Sequence, residues 1–143
     1  GERCPGWNDA RRGGFLGVLP EHGPKELYRG LLAGILCNLY QCYETLCACS
    51  QEPLDIRVSG GVLHSPQWTQ MLADFLQREL LCANEPDAST IGAALLAAHA
   101  AGDPAPLGQG SNTSMHRVRP RASQAEACRS LYERYRSAYL SGL

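Results

Sequence analysis

Apolar residues recur at steps of three and four from Leu27 to Leu46, through Leu31, Leu32, Ile35, Leu36, Leu39, Tyr40 and Tyr43. That spacing predicts a long helix, because positions three and four apart share one helical face. Pro24 near its start suits the first turn. Trp68, Met71, Leu72, Phe75 and Leu76 form a second stripe, with Gln67, Gln70, Asp74, Gln77 and Arg78 expected on the opposite, solvated face. Ser65-Pro66 opens that helix, since serine caps orphan N–H groups and proline is preset for the first helical position. A third helix is predicted from Ser89 to about Ala101, with Gly102 closing it. It is crowded with Gly92, Ala93, Ala94, Ala97, Ala98 and Ala100, small residues that let a helix lie close to a sheet. A last helix, about Gln124 to Leu140, carries Cys128, Leu131, Tyr132, Tyr135 and Tyr139 on one side.

Between the helices lie short strand patterns. Leu54 to Ser59 alternates and includes the β-branched Ile56 and Val58. Glu79 to Ala83 gives a second strand. Phe15 to Leu19 is an apolar run too short for a helix and reads as a buried strand. Residues 1–14 read as loop, Pro20 to Pro24 and Asn84 to Ala88 as turns, and Asp103 to Ser123 as a flexible loop rich in Pro, Gly, Ser and Arg. Gly30 and Gly34 are expected at close contacts of the long helix. The strand–helix–strand unit over 54–83 favours parallel pairing, and the alternation as a whole predicts an α/β domain with helices packed on a sheet.

Composition narrows this little. The 143 residues fit one domain, 44% are hydrophobic, and the net charge of −1 gives no general attraction for nucleic acid or an anionic membrane. No apolar run approaches the roughly 20 residues of a membrane span, and no signal peptide is visible. The seven cysteines (Cys4, Cys37, Cys42, Cys47, Cys49, Cys82 and Cys128) are odd in number and lack paired zinc spacing, so they read as reduced residues of a cytoplasmic protein. The opening Gly1-Glu2-Arg3 lacks an initiator Met, which points to further chain upstream.

Candidate chemistry concentrates at Ser59-Gly60-Gly61-Val62-Leu63-His64-Ser65-Pro66. A strand ends, two glycines follow, and a helix begins. Glycine permits positive φ and close approach of a ligand to the backbone. Helix starts offer free N–H groups, and ligands of open α/β sheets collect at the carboxyl ends of strands. The loop is neither a GxGxxG fingerprint nor a P-loop, and a Gly-Gly turn is also an ordinary connection. His64 reads as a loop histidine. Ser65 lacks the setting of a nucleophile and is occupied as a cap. His22, His99 and His116 have no metal spacing, and Glu44, Asp55, Asp74 and Glu85 form no evident acid–base pair. Arg11, Arg12, Arg117, Arg119 and Arg121 read as solvated surface.

The order of motifs is more specific than any one of them. Gly1-Glu2-Arg3-Cys4-Pro5-Gly6-Trp7-Asn8 with Arg12-Gly13-Gly14-Phe15-Leu16-Gly17, then Leu27-Tyr28-Arg29-Gly30-Leu31-Leu32-Ala33-Gly34-Ile35, then Ser59 to Asp74, then Ser89 to Ala97, resembles the FGGY family of carbohydrate kinases. The Ser59–Asp74 stretch is similar to that family's adenosine-site motif. The opening resembles gluconokinases most, and pentulose kinases share much of it.

The resemblance implies part of an actin-like (ribonuclease-H-like) ATPase domain, a mixed sheet with packed helices. Residues 1–102 would be the later part of the second, ATP-binding domain, 103–123 a flexible loop, and 124–143 the closing helix. ATP and Mg2+ would be the cofactors, and a sugar, a gluconate-like sugar acid or a polyol the acceptor. Gly60 and Gly61 would face the ribose and α-phosphate, with Ser65 near the adenine. The family's catalytic aspartate, phosphate loops and most sugar-binding residues precede this segment, so no catalytic residue is assigned, and an upstream kinase domain is the expected partner. The helix after Leu27 lacks the family's customary glutamate. Open sheet edges also favour pairing, a homodimer included. Two other readings remain: a non-catalytic interaction domain that kept the half-fold, and a redox or metal protein built on the cysteines.

Overall fold

The computed structural model describes residues 1–83, 88–102 and 114–142. Helix α1 runs from Pro24 to Cys49, strand β1 from Ile56 to Val58, and helix α2 from Pro66 to Leu76. Strand β2 spans Leu80–Ala83, helix α3 Ala88–Ala100, strand β3 Met115–Val118 and helix α4 Ala125–Leu140. The expected helices are all present. At the end of α3, Gly102 has φ +89° and donates its N–H to the His99 carbonyl at 3.0 Å, as a closing glycine should.

The sheet has the order β1-β2-β3. β1 and β2 are parallel, with Ile56 opposite Leu80 and Val58 opposite Cys82. β2 and β3 are antiparallel, with Leu80 opposite Val118 and Cys82 opposite His116. The sheet is therefore mixed.

α2 lies in the middle of the molecule. On one side Ala73 packs with Leu80 and Cys82 of the sheet, joined by Ile56, Val58, Leu63, Leu76 and Val118. On the other, Phe75 meets Leu36 and Cys37 of α1 and Tyr132 of α4, with Tyr40, Trp68, Met71 and Tyr135 around them. Leu72 touches both clusters. Tyr40 meets Tyr132 edge-on at 4.7 Å between ring centroids, a favoured aromatic geometry.

Several expectations need correction. Phe15–Leu19 is not a strand: Gly17 turns the chain at φ +70°, and Phe15, Leu16, Val18 and Leu19 are all exposed. A strand needs a ladder partner, and none pairs with this run among the described residues. The reading of 103–123 as loop fails where β3 forms over Met115–Val118 and a 3-10 turn over Ala122–Gln124. Residues 103–113, and 84–87 of the expected turn, lie outside the described residues. The polar side of α2 is not wholly solvated, because Asp74 is only 2% exposed. α3 does not bury its small residues: none of its side chains is buried, and a Cβ at Gly92 would meet nothing within 4 Å. Gly30 lies against the Phe15 ring, 3.6 Å from where a Cβ would stand, whereas a Cβ at Gly34 would meet nothing within 4 Å.

Candidate functional site

β1 delivers the chain at Val58 to Ser59, Gly60 and a 3-10 turn over Gly61–His64. Gly60 has φ +85° and ψ −161°, a conformation open to glycine and strained for other residues. The turn closes when the Leu63 N–H donates to the Gly60 carbonyl at 3.1 Å, and the Ser65 N–H to the Val62 carbonyl at 3.3 Å. Ser65 then caps α2, its Oγ accepting from the Trp68 N–H at 3.3 Å.

Sequence reasoning missed the support beneath this loop. Thr69 is 2% exposed, and its hydroxyl lies 3.1 Å from both the Val62 and Ser65 carbonyls. One threonine thus ties the turn to the first turn of α2. A β-branched hydroxyl residue four places after an N-cap was the available signal.

Gly60, Gly61 and Ser65 are brought together in this one turn, at the carboxyl end of β1. The carboxyl end of the parallel β2 lies alongside, since Val58 is opposite Cys82. Both glycines are exposed, and a Cβ on either would meet nothing within 4 Å. The loop therefore presents bare backbone to whatever approaches this edge of the sheet. His64 is exposed on the same turn.

Two concave spaces lie elsewhere among the described residues. One of about 550 Å³ is lined by Tyr43, Glu44, Cys47, Glu52 and Arg136. Another, of about 400 Å³, lies between Tyr40, Phe75, Cys128 and Tyr132. Neither includes the glycine loop.

Two charged clusters that the sequence left as surface hold the domain together. The Asp74 carboxylate accepts from the Arg121 N–H at 2.8 Å, from Arg121 Nε at 3.0 Å and from Gln70 Nε2 at 3.0 Å. Burial pushes its pKa up, but the Arg121 and Gln70 bonds outweigh that and hold it below the ordinary value. Arg121 is thus a clamp on the segment after β3. Glu79 likewise pairs with Arg117 and Arg119 of the neighbouring strand region.

At the amino end, the Tyr139 hydroxyl donates to Glu2 Oε1 at 2.6 Å and the Gly6 N–H to the same oxygen at 3.0 Å. Arg11 Nε lies 2.9 Å from Glu2 Oε2, and the guanidinium sits 3.8 Å from the Tyr139 ring centroid. The Tyr139 hydroxyl, with the Gly6 N–H and Arg11, holds the Glu2 carboxyl below its ordinary pKa. Arg11 is therefore not solvated surface. The Gly1-Glu2-Arg3 opening fastens the amino-terminal loop to α4. Among the described residues no group of three or more His, Cys, Asp or Glu side chains could hold a metal ion, and no helix is long and apolar enough to cross a membrane.

The sequence profile of the FGGY family of carbohydrate kinases, C-terminal domain, matches residues 1–101. The chain belongs to this family. Gluconokinase of Bacillus subtilis is 34% identical over 103 residues, which are 71% of this chain and 20% of that protein. Gluconokinase of Bacillus licheniformis is 32% identical over 92% of this chain and 26% of its own length. Xylulose kinase of Escherichia coli is 38% identical over 56% of this chain and 16% of its own. Among solved structures, a ligand-bound xylulose kinase from Lactobacillus acidophilus superposes with TM-score 0.82 at 27% identity, covering 99% of this chain and 29% of the kinase. A gluconate kinase from the same organism gives 0.77 at 26% identity, covering 94% and 28%. The fold is thus part of the actin-like ATPase fold of these kinases. The chain spans less than a third of the length of each of these relatives.

Proposed function

We propose that this chain is the ATP-binding, C-terminal part of a carbohydrate kinase. Its MgATP supplies the γ-phosphoryl group for transfer to a hydroxyl of a sugar, a gluconate-like sugar acid or a polyol. Residues 1–102 and the closing helix 124–143 act as one portion of the nucleotide domain. The observation that carries this reading is the Gly60-Gly61 turn. It is bare, exposed, conformationally special at Gly60, and set at the carboxyl ends of two parallel strands in a chain of a kinase family. Gly60 and Gly61 admit the ribose and α-phosphate against the backbone, and Ser65 lies toward the adenine, its Oγ already engaged by Trp68. Thr69 keeps that turn in place. Sugar binding and proton removal belong to residues outside these 143, so the chain alone performs no transfer, and its partner is the upstream kinase domain.

Calorimetry with MgATP tests the reading. The chain should bind weakly, and Gly61→Val should weaken binding by at least tenfold, about 1.4 kcal/mol. Unchanged binding in the variant removes the turn from the site. A coupled assay with gluconate or xylulose should show no turnover by the chain alone. Turnover there would place the catalytic base within it. The alternative, an interaction domain that kept the half-fold, rests on the exposed apolar side chains of α3 and of Phe15–Leu19. It predicts no MgATP binding together with a stable protein complex.

A further inference from the structure

Cys4 and Cys42 lie 38 positions apart in sequence, yet their sulfurs are 3.4 Å from each other. We propose that they form a redox-active pair, closing a reversible disulfide when the protein meets a peroxide. The approach is built by the fold. Asn38 Nδ2 donates to the Cys4 carbonyl at 3.0 Å, and Asn38 stands one helical turn before Cys42 on α1. Its side chain therefore holds Cys4 over the face that carries Cys42. The same loop is fixed to α4 by Tyr139, Glu2 and Arg11. A disulfide needs a sulfur separation of about 2.0 Å, a short approach for two side chains whose backbones are already positioned.

The two sulfurs are unequal. Cys4 is exposed and Cys42 is half-buried. Burial, and then the contact with Cys4, pushes the Cys42 thiol up to about 11. Cys4 thus meets the oxidant and Cys42 resolves it. In the first step, with hydrogen peroxide, the Cys4 sulfur attacks one peroxide oxygen, the O–O bond breaks, and Cys4 becomes a sulfenic acid as the departing hydroxide takes the thiol proton and leaves as water. In the second the Cys42 sulfur attacks the Cys4 sulfur, the S–O bond breaks, and the Cys42 proton leaves with the hydroxide as water. Two thiols and one peroxide become one disulfide and two waters, and a thiol reductant restores the pair. Cys37 and Cys82 are buried out of an oxidant's reach.

The test is peroxide treatment of the intact chain, alkylation of the remaining thiols, and mass spectrometry after cleavage at arginine. Cys4 is released on the Cys4–Arg11 peptide, and fragmentation of Gly30–Arg57 separates Cys42 from Cys37, Cys47 and Cys49. The expected product is a Cys4–Cys42 link that dithiothreitol reverses and that is lost in both Cys4→Ser and Cys42→Ser. A link from Cys4 to another cysteine, or no link at all, overturns the assignment. Phenylarsine oxide, which bridges close thiols without oxidation, gives a second reading on the unmutated chain. It should shield Cys4 and Cys42 together from alkylation, and unshielded labelling of both contradicts the pairing.

Discussion

α2 and α3 are helices of 11 and 13 residues, both following a strand of the same sheet, yet one is the centre of the core and no residue of the other is fully buried. α2 is enclosed by the sheet on one side and by α1 and α4 on the other. α3 leaves Leu95 43% and Leu96 62% exposed. A helix apolar on all sides is built to be covered, and large exposed apolar surface marks an interaction site. The same holds for Phe15, Leu16, Val18 and Leu19, an apolar run without a strand partner among the described residues. Composition states how apolar an element is, while its cover depends on the rest of the fold. The chain covers 29% of the length of the xylulose kinase it superposes on.

The contrast can be broken by substitution. Leu36→Ala, at a side chain with no exposure, should cost about 2–5 kcal/mol in urea unfolding. An effect below about 1 kcal/mol would mean that α1 does not pack as described. Asp74→Asn should cost about 2 kcal/mol at neutral pH, because it weakens charge-assisted bonds to Arg121. The pH sign follows from a carboxyl held below its ordinary value of 3.8. Its stabilisation is present in full above that value and is lost as pH falls through the lower folded value. The gap between Asp74→Asn and the parent chain should therefore narrow in acid, read from urea midpoints at pH 7 and below 3.8. A gap independent of pH would show that the charge contributes nothing. Ser65→Ala should cost about 1 kcal/mol through loss of the α2 cap, again by urea midpoint. Leu96→Ala on α3 should stay within about 0.5 kcal/mol. A cost matching that of Leu36→Ala would reveal that α3 is covered in solution.

Much of this was legible in the sequence. Helical spacing located α1 and α2, and Ser65-Pro66 marked the start of α2 to the residue, because caps and periodicity are local properties. The parallel pairing of β1 and β2 followed from the intervening helix. β3 was hidden because its pattern, Met-His-Arg-Val, is mostly exposed and lies in a Pro- and Ser-rich stretch. Phe15–Leu19 was over-read because apolar character cannot supply a ladder partner. Asp74, Arg121 and Thr69 were missed as working residues because their partners are set by tertiary contact. The glycine turn was visible as a place for a ligand, and only the ordered motifs around it suggested a nucleotide.

In the proposed reading Ser59–Ser65 receives the nucleotide. Amide hydrogen exchange of the chain with and without MgATP tests it most directly. Protection is predicted at Ser59 to Ser65 and the first turn of α2, and should need at least tenfold more MgATP in Gly61→Val. Protection confined instead to the concavity around Tyr43, Glu44 and Arg136, or none at saturating MgATP, would contradict it.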